Sequence, residues 1–249
     1  VIHIHGTPLT PEWIAAMLFK GRHVCISFAH PEQIEILLQE CQSAILDNGA
    51  FSAWLSGKPI TDWLPFRAWI DKWSSHPSVD WWLIPDVIDG DERDNDHLIF
   101  EFREVKYGVP VWHLHESTDR ILRLMDMGYD RIAIGSSGEY AEIGNDRWYS
   151  RMAEAMQVLC DEEGRPKVKL HGLRMLNPAI FTKFPFASAD STNVARNVGL
   201  DCKYKGKLKT ANKLTRGIVL ANNIESFQSA ERWIPQAIQS SFLLEEMYA

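Results

Sequence analysis

Five short apolar runs in this chain each stop at an acid, a histidine or a glycine: AILDNGAF (44–51), WWLIPD (81–86), PVWHLHE (110–116), RIAIGSSGE (131–139) and FASADSTNVARN (186–197). A run of that kind is a strand buried along its length that delivers polar groups at its C-terminal end. Three of those ends carry aspartates: Asp47, Asp86 and Asp190. Carboxylates gathered in one place can serve as nucleophile and as general acid or base. Asp190 sits among Ser188, Ser191, Thr192 and Asn193, so it reads as a nucleophile, a metal ligand or the cap of a following helix. Asp47 is followed by Asn48-Gly49-Ala50-Phe51, where the glycine admits either a close ligand or a left-handed turn. Asp86 follows Pro85, with Asp89, Asp91 and Glu92 nearby as helix-start acids. Gly135-Ser136-Ser137-Gly138 offers backbone N–H groups without bulk, which suits a flat or anionic ligand.

Those ends must be positioned by a repeating frame. Strand candidates fall at 1–5, 23–28, 44–47, 81–85, 109–114, 131–135, 167–172 and 185–189. Helix signals follow seven of them. Pro11 and Pro31 open the first two helices, and Ile34, Leu37, Leu38 and Cys41 share a face of the second. Trp63, Phe66, Ile70 and Trp73 repeat at helical spacing in the third. Residues 92–106, 118–127 and 146–160 carry three more, Pro178 starts a short one, and 223–247 reads as the closing helix. Eight strands alternating with helices in 249 residues is the pattern of an α/β (β/α)8 barrel, one domain over 1–249, whose active site lies at the C-terminal ends of the strands. An open doubly wound sheet is the alternative, but it would not need the eighth unit. Trp81, Trp82 and the aromatics of 63–73 are expected in the core.

The formal net charge is −7, so contact with a polyanion calls for a local basic patch. One exists. Residues 191–222 hold Arg196, Lys203, Lys205, Lys207, Lys209, Lys213 and Arg216 against the single acid Asp201. A basic loop insertion at about 198–217 is either a solvated charge run or a phosphate-contacting segment, with Tyr204 available to stack on a base. The cysteines (Cys25, Cys41, Cys160, Cys202) are scattered without a CxxC pair, which indicates neither a disulfide framework nor a cysteine-rich zinc site. No apolar run approaches the roughly 20 residues that span a bilayer. The opening VIHIHGT is too short and polar for a signal peptide, and a cytoplasmic location is expected.

Taken in order, these stations resemble the tRNA-guanine transglycosylase superfamily, and most closely its phage and bacterial branch that places 7-deazaguanine bases in DNA. The family signature DSGGFQ is similar to Asp47-Asn48-Gly49-Ala50-Phe51-Ser52. Its acid after strand four is similar to Asp86, its glycine turn after strand six to Gly135-Ser136, and its nucleophile near an Arg-Asn pair to Asp190 with Arg196-Asn197. The family's glutamine after strand five is replaced by the region of His113 and His115. The resemblance implies a (β/α)8 barrel that exchanges guanine in nucleic acid for a free 7-deazaguanine base through a covalent aspartyl-glycosyl intermediate. Asp190 would be the nucleophile and Asp47 the general acid and base. Asp86, His113, His115, Gly135, Ser136, Asn48, Phe51, Ser188 and His171 would bind the substrate. Arg196, Lys203, Lys205, Lys207 and Lys209 would hold the nucleic acid. No cofactor or metal is implied, and no membrane. The zinc subdomain of the tRNA-modifying members has no counterpart here, which favours DNA over tRNA. Oligomeric state is left open.

A second reading uses the histidines. His3 and His5 on strand one, His113 and His115 on strand five, His171 on strand seven and Asp190 on strand eight resemble the metal site of an amidohydrolase barrel. That resemblance lacks the bridging lysine after strand four and displaces the strand-seven histidine. A catalytically dead nucleic-acid-binding barrel is a third reading, which the retained acids argue against.

Overall fold

The computed structural model describes residues 1–199 and 212–235. Its strands are β1 (Ile2–Gly6), β2 (His23–Ser27), β3 (Ser43–Asp47), β4 (Val79–Leu83), β5 (Gly108–Val109), β6 (Val111–His113), β7 (Arg131–Gly135), β8 (Lys169–Gly172) and β9 (Ser188–Ser191). All pair in parallel, in the order β5-β4-β3-β2-β1-β9-β8-β7-β6. The two ends of that order are consecutive in the chain, separated by Pro110 alone. A proline lacks the N–H a ladder needs, so the run 108–113 is split where it turns from one neighbour to the other. The Pro110 carbonyl still accepts from Ala133 at 3.0 Å. Counting β5 and β6 as one strand gives eight, closed into an α/β barrel of the TIM type.

Alternation sends successive side chains to opposite faces. Ile4, Cys25, Ile45, Trp81, Leu83, Val109, Val111 and Ala133 fill the barrel interior. Their neighbours Val24, Leu46, Trp82, Trp112, Ile132, Ile134 and Leu170 face outward and join the layer beneath the helices. Trp81 and Trp82 are both core, in different cores. The helices are α1 (Glu12–Phe19), α2 (Ile34–Glu40), α3 (Ala50–Leu55), α4 (Leu64–Trp73), α5 (Glu92–Phe102), α6 (Thr118–Asp126), α7 (Asp146–Leu159), α8 (Pro178–Phe181), α9 (Asn193–Asn197) and α10 (Lys213–Glu225). No helix among the described residues is long and apolar enough to cross a membrane.

Two expectations need correction. The eighth strand starts at Ser188 rather than 185. Pro185 has no N–H to pair, and Phe186 donates back to the Phe184 carbonyl in a tight turn. Asp190 is therefore inside the strand, facing the barrel axis, rather than after it. The helix expected over 223–247 instead begins at Lys213, capped by the Asn212 side chain on the Thr215 N–H, and ends at Glu225. Residues 226–235 are not helical, and 236–247 lie outside the described residues. Lys213 and Arg216, read as part of a basic loop, belong to this helix. Lys213 reaches the Thr10 carbonyl, and Arg216 donates to the Val198 carbonyl at 2.7 Å. Close packing explains Gly217, where an added Cβ would come within 2.8 Å of Leu18 on α1.

Candidate active site

The C-terminal mouth of the barrel collects Asp47 from β3, Asp86 from the turn after β4, His113 from β6, Gly135 from β7 and Asp190 from β9. Asp47 is half-buried, and its Oδ2 accepts the Gly49 N–H at 3.2 Å. Gly49 has φ +79° and would place a Cβ 2.9 Å from the Ala29 nitrogen, so the turn after Asp47 needs a glycine twice over. Burial raises the Asp47 carboxyl from 3.8 to about 6. A hydrogen bond from Ser27 opposes that rise, the charges of Asp190 and Asp86 add to it, and the Gly49 N–H opposes it. Below them Cys25 is buried, and its thiol is pushed well above its usual range by burial and then by Asp190 and Asp47. Three carboxylates thus share one electrostatic environment, and one of them titrates near neutrality.

Asp86 is the most enclosed of the three, 6% exposed. Its Oδ1 accepts from Asn48 Nδ2 at 2.7 Å and its Oδ2 pairs with His113 Nε2 at 2.8 Å. Asn48 also donates to the Ile84 carbonyl at 2.8 Å and accepts the Ala50 N–H at 2.8 Å, which fixes the start of α3. A second buried network supports the pair from behind. Glu116 accepts the His113 N–H and Arg120 Nη1 on one oxygen and Asn95 Nδ2 on the other, while Asn95 Oδ1 accepts the Val87 N–H. These bonds tie the turn after β4 to the turn after β6 and hold Asp86 and His113 in register. Gly135 lies opposite. A Cβ there would sit 2.8 Å from His113 Nδ1, so glycine is required by close approach rather than by φ.

Asp190, 9% exposed, is held on one side only. Its Oδ1 accepts the Arg174 N–H at 2.9 Å and lies 3.4 Å from His171 Nε2. Its Oδ2 carries no hydrogen bond among the described residues. Arg174 is the site residue that the sequence reading missed. It has φ +61°, a conformation unfavourable for a side chain that bears a Cβ. Three ties hold it there. Its N–H meets Asp190, its guanidinium bonds the Ser136 carbonyl, and the guanidinium carbon stacks over the Phe51 ring at 4.1 Å. The available signal was an arginine two residues past Gly172, the glycine that ends β8.

The remaining expected residues divide. Phe51 is half-exposed at the mouth, and His115 is exposed, stacked on His113 with ring centres 5.4 Å apart and bonded to the Gly90 carbonyl. Asn48 is structural, as described. Ser136 is buried, with its hydroxyl accepting from Trp148 Nε1 at 2.9 Å, so its side chain is committed to α7. Ser188 and His171 are buried in the barrel interior beneath Asp190, 1% and 0% exposed, and so they support the site from below rather than face a ligand. Arg196 is exposed on α9. Lys203, Lys205, Lys207 and Lys209 lie outside the described residues. Of the helix-start acids, Asp91 caps α5 in a capping box with Asp94.

The histidine pair of β1 needs correction. Ile4 fills the barrel interior, so His3 and His5 point to the opposite face. His5 stacks on Phe19 and bonds Glu225 at 2.8 Å, and His3 bonds the Phe227 carbonyl at 2.9 Å. Both lie under the helix layer and cannot share an ion with the inward-facing Asp190. Comparison of the chain with protein-family models, with curated proteins and with solved structures found no match, so the functional reading rests on the site itself.

Proposed function

We propose that the barrel is a base-exchange glycosyltransferase acting on guanine in nucleic acid. The observation that carries the reading is the division of labour among the acids at the mouth. Asp190 has one oxygen anchored and the other unengaged among the described residues, whereas Asp47 is raised to about 6, so it keeps its proton into mildly acidic solution and can give and take one close to neutrality. The free Oδ2 of Asp190 attacks C1′ of the nucleotide as the C1′–N9 bond breaks, and the Asp47 carboxyl gives its proton to the departing nitrogen. A covalent glycosyl-enzyme results. The entering base then loses its N–H proton to Asp47 as its nitrogen attacks C1′, and Asp190 leaves. Atoms and charge balance without a redox step.

The rest of the mouth suits a flat purine. Arg174 over Phe51 makes a ledge at the mouth, Gly135 lets His113 pack close against its strand, and Asp86, held by Asn48 and His113, keeps a second lone pair on each oxygen for a base edge. The target base must leave its stack first, at a cost of a few kcal/mol, which favours single-stranded or distorted substrate. The sequence resemblance to the DNA-modifying transglycosylases adds the finer reading of DNA over tRNA and a 7-deazaguanine as the entering base. The test is incorporation of labelled guanine and 7-deazaguanine into DNA and tRNA by the purified protein. Incorporation into DNA that Asp190→Asn abolishes is expected. No incorporation into either polymer would refute the proposal.

A further inference from the structure

A file of polar groups runs up the barrel interior and ends at Asp190. At its base, Arg131 stacks over Trp81 at 5.1 Å and donates from Nη1 to Ser188 Oγ at 3.2 Å. Ser188 Oγ lies 2.9 Å from His171 Nδ1. His171 meets the Trp81 ring edge-on at 4.8 Å, and its buried Nε2 lies 3.4 Å from Asp190 Oδ1, within ion-pair range, while making no formal hydrogen bond among the described residues. Every member except Arg131 and Asp190 is enclosed in the core.

The chemistry of each donor fixes the direction of the file. A guanidinium only donates, so Ser188 Oγ accepts from Arg131 and keeps its own proton to give. The nearest acceptor for that proton is His171 Nδ1. A bare Nδ1 puts the ring proton of neutral imidazole on Nε2, directed at Asp190. The opposite tautomer would set the lone pair of the buried Nε2 against a carboxylate oxygen. We propose that His171 is a positioning residue, locked in its Nε2–H tautomer by Arg131 and Ser188, that holds Oδ1 of Asp190 from below so that Oδ2 faces the mouth. The proposal rests on the reading of Asp190 as the nucleophile for its kinetic consequence, but not for the tautomer.

Nitrogen NMR of protein labelled on histidine tests the tautomer directly, with His171 assigned by the signals lost in His171→Gln. A protonated Nε2 and a bare Nδ1 are expected, whereas a protonated Nδ1 would overturn the proposal. Kinetics tests the consequence. Ser188→Ala releases the lock and should lower the single-turnover rate of adduct formation by about 10- to 100-fold, the worth of a hydrogen bond to a charged group, with base affinity unchanged. His171→Gln places an amide nitrogen near the Nε2 position and should recover most of the rate that His171→Asn, which reaches only the Nδ1 position, loses. Equal rates for the Gln and Asn variants, matched in melting temperature, would overturn it. The two readings fail separately. A protonated Nε2 in a protein that exchanges no base retires the transferase and keeps the anchor, and a protonated Nδ1 in an active enzyme does the reverse.

Discussion

Replacing Asp47 with Asn should stabilise the protein while removing its activity. The Asp47 carboxyl is raised from 3.8 to about 6, chiefly by burial. The folded protein therefore holds this proton more tightly than the unfolded chain does. That contribution is complete below about pH 4 and is lost as pH rises through about 6. At about 1.4 kcal/mol per pH unit, the ionised carboxylate costs the fold about 3 kcal/mol at neutral pH. Asparagine cannot ionise, and its carbonyl can still accept the Gly49 N–H that Asp47 Oδ2 takes at 3.2 Å. Its amide needs a partner of its own, so the net gain should be about 1–3 kcal/mol at pH 7 to 8. In a chain of this size each kcal/mol moves the melting temperature by about 2–4 °C. Urea unfolding of both proteins from pH 4 to pH 8 is the assay. The two curves should coincide near pH 4 and separate as pH rises through about 6. A constant difference across that range would refute the argument that Asp47 is a destabilised acid kept for chemistry.

The same titration should appear in catalysis. If Asp47 protonates the leaving base, single-turnover adduct formation is flat below about pH 6 and falls about tenfold per unit above it, and a rate that rises through that window would contradict the acid role. Gly135→Ala should cost base binding more than stability, because its Cβ would press on His113 Nδ1 from 2.8 Å and displace the Asp86–His113 pair; a Kd for free base within twofold of wild type would count against that pair as the base reader. Changing Lys203, Lys205, Lys207 and Lys209 together to Ala should weaken nucleic-acid binding across sequences and flatten its salt dependence, by about 0.7 in log–log slope per lost contact on single strands. An unchanged slope would make the segment a solvated charge run.

Strand ends were legible because the physics there is local. A buried parallel strand must be apolar until it reaches the loop that serves the site, so β7 was read to the residue and β2 and β3 to within one. Pro185 and Pro110 defeated the reading for the same reason as each other. An apolar run containing a proline looks continuous, yet the missing N–H delayed β9 and split the fifth strand. The site was harder. That Asp47, Asp86 and Asp190 come together follows from barrel geometry, but which histidines face it does not follow from residue type. His3 and His5 alternate out toward α10, while His113 and His171 alternate in, and only the register with Ile4 and Ala133 separates the cases. Arg174 was invisible because its role depends on a left-handed backbone and on Phe51, more than a hundred residues away. Ser188 and His171, expected to bind the substrate, are buried in the barrel interior beneath Asp190, a placement that depends on the register of β8 with β9.

The central claim is that Asp190 forms a bond to the sugar of the nucleic acid. The most direct measurement is mass spectrometry of protein quenched during turnover on a guanine-containing oligonucleotide, with the modified peptide sequenced. The account predicts an adduct that lacks guanine, joined to the peptide at Asp190, present in wild type and absent in Asp190→Asn. An adduct on Asp47 or Asp86, or base exchange that proceeds at the wild-type rate in Asp190→Asn, would contradict it.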